Sequence, residues 1–321
     1  MRLTITLVLT LFLETLFAQQ LPLFTQYREN IGLINPAALT PDYVMYDGEQ
    51  KLSIGLSSRL QWIGDVAGPE THLIRGAYVL ANNQSSFGLQ IGGQLLQDQF
   101  GPTVTTGAIG RFSAFLRSAR SGFGGLALGF SFGAINYKIK TSEIALLDED
   151  DPLSADQLNH VFPDVGVGLY YFKELSGGVF DNDIVFAGIS MPQLLGANVD
   201  QQISNSEFTL ERVRHTYFNL GLYKRLNAAN WLEISSWIKY VEAAPVNADI
   251  NLRYQHRRSF WVGLGGSSAG NLHFEAGVFV LGSQLTFGEK LLKIGYGFDY
   301  GIGQELQNFG TTHEFNLTFA L

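Results

Sequence analysis

The sequence predicts an all-β fold, a transmembrane antiparallel β-barrel of about 14 strands (range about 12 to 16), with an irregular N-terminal segment in or under the lumen. Three observations predict it. Apolar and polar residues alternate with a period of two over segments of about ten residues, the pattern of a strand whose two faces meet different surroundings. Charged residues make up 16% against 46% hydrophobic, below the roughly 25% charged of an ordinary soluble domain. Either the surface is small or much of it is not in water. The connections between the segments also sort into short ones on one side and long ones on the other, as in outer-membrane barrels.

Taken in order, residues 1–18 read as a secretory signal peptide, with Arg2, an apolar run to Phe17 interrupted by Glu14, and cleavage after Ala18. The run is shorter than the roughly 20 residues of a spanning helix, which disfavours the rival reading, a retained anchor. Residues 19–50 hold Gln26, Tyr27, Asn30 and the triplet Asn35-Pro36-Ala37 and are not strand-like. The barrel is expected over residues 51–321. Its first strand alternates Leu52, Ile54, Leu56 and Leu60 with Ser53, Gly55, Ser57 and Arg59. Further segments fall at 71–81, 87–97, 103–116, 122–140, 164–172, 184–191, 216–224, 231–241, 248–255, 260–266 and 272–281. The last hairpin is the clearest. Ile294, Tyr296 and Phe298 alternate with Lys293, Gly295 and Gly297, and Phe315, Leu317 and Phe319 with Glu314, Asn316 and Thr318.

An even count suits a closed barrel with both termini on one side. With the first strand running outward, the short turns at 82–84, 118–121, 226–230 and 256–259 fall inside and the long loops at 141–163, 192–206 and 302–310 outside. Glycines at inward positions, among them Gly129, Gly166, Gly295 and Gly297, allow close packing in the lumen. Trp62, Trp231, Trp237 and Trp261 are candidates for the aromatic girdles. A soluble sandwich or propeller also alternates, but no signature recurs at the 40 to 50 residues of a propeller blade.

Chemistry-bearing patterns are sparse. The chain has no cysteine, which excludes disulfides and thiolate metal sites, and a net charge of -8 without a basic tract, so no nucleic-acid partner is expected. The acidic run 148–151 lacks the spacing of a calcium loop. His313 and Glu314 are adjacent on a strand and point to opposite faces, so they do not share a metal. No nucleophile elbow or phosphate-binding loop is present. No catalytic, cofactor-binding or metal residues are expected, and no enzymatic activity. The inward positions Asn247, Asp249, Asn251, Arg253 and Gln255 are polar, which favours a wet or plugged interior.

Several residues together resemble a known family. Gln26 and Tyr27, then Asn35, Pro36 and Ala37, then Arg59, Gln61 and Trp62 with Gly68 and Pro69, are similar to the N-terminal hallmark of the PorP/SprF outer-membrane proteins of the type IX secretion system of Bacteroidetes-type bacteria. In the family's order follow Asp98 with Gly101, residues 148–152, Pro163 to Gly168 with Gly166, Gly188 to Ser190, Tyr296 to Tyr300 with Asp299, and Gly310 to Phe315 with His313 and Glu314. The resemblance implies an outer-membrane barrel without enzymatic activity or cofactor. It implies a role in secretion or surface anchoring of adhesin or gliding-type proteins with a C-terminal sorting domain. Implied partners are that client, membrane lipid and other subunits of the machine, periplasmic ones included. The client is expected on loops 141–163, 192–206 and 302–310, and the segment from Gln26 to Ala37 inside or under the barrel. The alternative is an outer-membrane transporter of long-chain fatty acids or other hydrophobic small molecules, whose lumen would be a continuous apolar pocket.

Overall fold

The computed structural model describes residues 23–64, 68–81, 86–118, 122–140, 158–195, 198–203, 206–211, 213–242, 244–256, 259–281, 290–302 and 310–321. The expected signal peptide and the acidic run 148–151 lie outside them. Seven strands come first: β1 (Leu52–Ile63), β2 (Glu70–Ala81), β3 (Phe87–Phe100), β4 (Thr103–Arg117), β5 (Gly124–Ile139), β6 (Leu158–Glu174) and β7 (Ile184–Met191). A separate hairpin of β8 (Asn198–Ile203) and β9 (Ser206–Glu211) follows. Then come β10 (His215–Arg225), β11 (Asn230–Val241), β12 (Asn247–His256), β13 (Phe260–Ser267), β14 (Asn271–Leu281), β15 (Leu291–Gly301) and β16 (Thr311–Ala320).

Leaving out the hairpin, these strands form a closed 14-stranded antiparallel barrel, each paired with its neighbours in sequence and β16 paired with β1. Leu52 and Leu321 exchange backbone hydrogen bonds of 2.6 and 2.9 Å where the first and last strands meet. Closure matters physically, because a backbone N–H or C=O without a partner in hydrocarbon costs several kcal/mol. No described helix is long and apolar enough to cross a membrane. The chain crosses as strands.

We call the end where β1 begins the inner end and the opposite end outer. Two of the expected outer loops are shorter than the sequence suggests. β6 already starts at Leu158, so residues 158–163 belong to a strand, and 192–206 contains β8 and the start of β9. Of the third loop, residues 303–309 lie outside the described residues. β6 outruns β7, whose last ladder pair is Met191 with Val167. The Val165 carbonyl on that side accepts the Leu194 N–H at 2.7 Å. Pro163, two residues earlier, aims at the same free edge, where a residue without an N–H breaks no ladder bond.

Period two sorts the side chains as expected. Leu56, Leu95, Phe132, Leu264 and Phe315 are exposed on the outside of the barrel, whereas Ser57, Ser113, Glu233, Asp249, Arg253 and Glu314 are buried inside it. Three of the four tryptophans do not form a girdle: Trp231, Trp237 and Trp261 are buried. The reason is parity, since Trp231 and Trp237 share the inward face with Glu233 and Ser235, and Trp261 stands opposite inward Gln255. Trp62 sits at the outer end of β1, where the register against β16 slips between Leu60 and Ile63. Its φ of 57° marks that bulge, and its ring meets Phe100 edge-on at 6.3 Å.

The lumen is filled by the chain's own N-terminal part. Residues 23–50 carry two short helices, α1 (Ile31–Ile34) and α2 (Pro41–Met45). α1 ends at Asn35, which is extended (ψ 111°) as the residue before a proline prefers. α2 starts on Thr40 with Pro41 in its first turn, where the missing N–H is an orphan in any case. Most residues of this plug are buried. It meets the barrel first near the outer end and leaves at the inner end into β1.

Candidate functional site in the barrel lumen

The outer part of the plug is held by charge. Arg59 on β1 reaches Asp299 on β15 at 2.7 Å and Glu314 on β16 at 3.5 Å, and donates to the Thr25 hydroxyl at 2.7 Å. The Glu314 carboxylate, fully buried, accepts the backbone N–H groups of Thr25 at 2.6 Å and Gln26 at 3.1 Å. Asp299 accepts the Thr25 hydroxyl at 2.8 Å and lies 2.9 Å from His273. Gly295 and Gly297 make room, because a Cβ at either would run into Gln26 or Thr25. The plug here borrows strand carboxylates to satisfy its own backbone donors, which cannot stay unpaired in a buried place.

One turn further, Tyr27 donates to Ser235 at 2.9 Å and packs on Trp237 with centroids 5.4 Å apart. Glu29 is the hub of the next layer. Lys293 stands 2.7 Å from it, Arg28 3.4 Å, Arg253 3.5 Å and Arg75 3.7 Å. Lys293 also bridges to Asp42 at 2.8 Å, Arg253 grips Glu275 through two bonds of 2.6 Å, and Arg28 pairs with Glu233. A charge network removed from water to this degree needs nearly complete internal pairing to be tolerable.

Asn35 turns the chain. Its side-chain oxygen accepts the Ala37 N–H at 2.9 Å, and its amide donates to the Leu169 carbonyl at 3.1 Å and to Asn219 at 3.3 Å. This is an Asx turn anchored to the wall. The wall offers glycine: a Cβ at Gly129 would strike Pro36 and Ala37, and one at Gly168 or Gly188 would strike Asn35. Ser190, Ser113 and Gln90 donate to the carbonyls of Ile34, Ala37 and Ala38. Below, Tyr43 packs on Phe115 and Phe123 with centroids 6.0 and 5.8 Å away. Phe172, Tyr170, Phe186 and Tyr223 continue that aromatic layer around the barrel.

The residues singled out in the sequence therefore divide. Gln26, Tyr27, Asn35, Pro36, Ala37, Arg59, Asp299 and Glu314 converge on the contact between plug and wall. Gln61 and Pro69 meet elsewhere, the Gln61 N–H donating to the Pro69 carbonyl at 2.8 Å near the outer end. Asp98 accepts the Thr71 hydroxyl at 2.5 Å, and Gly101 takes φ 54° in the turn beyond β3. Gly166 faces Ser131 and Pro192, away from the plug. His313 points outward to the Tyr296 hydroxyl at 2.6 Å, on the opposite face from Glu314. Missed from the sequence were Arg28, Glu29, Asp42, Arg75, Arg111, Glu275 and Lys293. The strand members among them could have been found by asking which inward positions carry charge. Among the described residues no group of three potential ligands could hold a metal.

A family model matches residues 16–319, plug and barrel together, and its description is type IX secretion system membrane protein PorP/SprF. The chain belongs to that family. The PorP/SprF assignment and the barrel together make it an outer-membrane protein. No curated protein matches it in sequence. Among solved structures it is similar to a FadL homologue of Pseudomonas aeruginosa, at 9% identity and a TM-score of 0.53 over 90% of this chain and 93% of that one. It is also similar to the CymD monoaromatic hydrocarbon channel, at 10% identity and a TM-score of 0.50 over 92% of each chain. At such identity the likeness shows the fold alone.

Proposed function

We propose that this PorP/SprF protein is a non-enzymatic partner in the secretion or surface anchoring of an adhesin or gliding-type protein with a C-terminal sorting domain. The observation that carries this reading is the plug, which is tied to the wall by hydrogen bonds of Thr25 with Arg59 and Asp299, by buried ion pairs at Arg28, Glu29 and Asp42, and by aromatic packing at Tyr43. A barrel filled in this way serves as a platform. Its client docks outside, on the outer surfaces of residues 141–163, 192–206 and 302–310, with the hairpin β8–β9 as part of that face, and machine subunits meet the inner end. The Asn35 turn and the Arg59 cluster keep the plug seated and thereby keep the outer face in shape.

The second reading is a transporter of hydrophobic small molecules, which the fold-level likeness to a hydrocarbon channel brings in. It needs a continuous apolar path with few polar anchors, and the lumen beside the plug carries Arg59, Glu233, Arg253, Lys293 and Glu314. Affinity purification of the tagged protein from native outer membranes in mild detergent, followed by mass spectrometry, separates the two. Recovery of a large surface protein with a C-terminal sorting domain, or of machine subunits, is the expected result. The barrel alone with bound fatty acid or hydrocarbon would replace the platform by the transporter. Deleting residues 141–157 should release the client while the barrel still assembles.

A further inference from the structure

Arg111 on β4 differs from the other buried cations of the lumen. Arg28, Arg59, Arg75, Arg253, Lys239 and Lys293 each have a carboxylate within 4 Å. The Arg111 guanidinium, buried to 8% exposure, has one partner among the described residues, the Ala38 carbonyl at 3.2 Å, and no acid. It borders a small cavity between the plug and β1–β4, together with Arg75, Thr40, Ser53, Gln94 and Glu29. Two further donors of the lining residues, Arg75 Nη1 and the Thr40 hydroxyl, are buried and bond to nothing among the described residues, Nη1 lying against Gly55 on β1. Glu29 is already engaged by Lys293, Arg28 and Arg253 and by the far side of Arg75. Gly32 stands against the Arg111 guanidinium, and any Cβ there would collide with it. Gln94, Arg75 and Gly32 stay partly exposed, which gives water and small ions a way in.

From these residues we infer that the cavity between Arg75 and Arg111 binds a small oxyanion such as phosphate or sulfate. Charge supports the sign. A guanidinium without a counter-charge in a low-dielectric place is costly, and its planar fork matches tetrahedral oxyanions through two parallel N–H donors. Arg111 supplies the positive donors and the Gln94 amide a neutral one, with the charge of Arg75 on the same lining. The small size of the cavity leaves no place for an acyl tail, and the barrel wall separates it from lipid headgroups. The ion would then join the plug to β3 and β4 at Arg111, which forms no salt bridge with a described residue. This inference does not depend on which client the outer face holds.

The test uses the full-length protein in detergent. Thermal unfolding is followed in chloride and in inorganic phosphate or sulfate at matched ionic strength and pH. The expected result is a rise in midpoint of several degrees that saturates with phosphate or sulfate, and a half-saturation at least tenfold weaker in Arg111→Gln. Arg111→Lys should retain part of the effect. A rise without saturation, equal in wild type and Arg111→Gln, is the general action of excluded salts and would overturn the site. Should Arg111→Gln fail to assemble, radiolabelled phosphate binding to the wild type, competed by sulfate, decides alone. Absence of saturable binding there rejects the site.

Discussion

The plug faces two different walls. Along β11–β16 and β1–β2 it meets charge: Arg59, Asp299 and Glu314 above, Lys293, Arg253 and Glu275 below. Along β4–β7 and β10 it meets glycines at 129, 168 and 188 and the rings of Phe115, Phe172, Tyr170, Phe186 and Tyr223. The apolar wall stabilises by area removed from water, about 25 cal/mol for each Å², and tolerates small shifts. The charged wall contributes little net free energy, because desolvation offsets most of the Coulomb attraction. It sets the register instead, since a plug displaced by one residue would leave several ions without partners.

The sharpest way to break this contrast is Arg59→Ala. It leaves Asp299 and Glu314 buried without their cation, and losses of about 3–5 kcal/mol are expected for such a removal. Denaturant unfolding in detergent measures it. Adding Asp299→Asn and Glu314→Gln should recover more than half, because the penalty lies in the stranded charges. Next in size, on the other wall, Gly129→Val should cost about 1–3 kcal/mol by overpacking against Pro36 and Ala37, with no polar change able to rescue it. As the chain has no cysteine, Ala38→Cys reports plug exposure, and its labelling by a maleimide should accelerate in the Gly129→Val background. Asn35→Ala removes bonds to Leu169 and Asn219 and should cost about 1 kcal/mol or a little more. If Asn35→Ala with Pro36→Ala left protein level, protease resistance and client display unchanged, the turn would have no part in function.

Acid separates the walls without mutation. Burial by itself pushes the Glu29 carboxyl pKa up, but Lys293, Arg28 and Arg75 outweigh it and hold it at about 2, from an ordinary 4.5. A depressed folded-state pKa stabilises the seat fully above pH 4.5, and that stabilisation is lost as pH falls toward 2. Labelling of Ala38→Cys, each rate divided by that of a free thiol at the same pH, should rise below pH 4.5, and Glu29→Gln should flatten that rise. The smallest effect is expected outside. His313→Ala removes a cross-strand contact with Tyr296 and should cost less than about 1 kcal/mol, with plug labelling unchanged.

Much of the barrel was legible because lipid and lumen impose opposite demands on alternate residues, so each segment from Leu52 to Ala320 carries its own two-faced signal. The strand ends were less so. Leu158 to Pro163 look like loop because a proline and mixed polarity interrupt the pattern, although β5 pairs with them fully. The tryptophans misled because residue type was weighed before parity. At the contact between plug and wall, Gln26, Asn35 and Arg59 were found through family resemblance, whereas the Glu29–Lys293 contact joins residues far apart in sequence. No local pattern announces such a pair; only the closed barrel brings them together.

Thr25 is gripped by Arg59 from the first strand and by Glu314 from the last, residues that stand directly opposite in the β1–β16 ladder. The plug is therefore a clasp across the seam of the barrel. Its outer contacts cannot form until the final hairpin has been synthesised and delivered, and once the seam has zipped the wall leaves no lateral gap for the segment to enter. A chain stopped before β15 would lose the seam and most of what the clasp holds, so proteolysis of the N-terminal segment in such truncations reads out whether closure was completed.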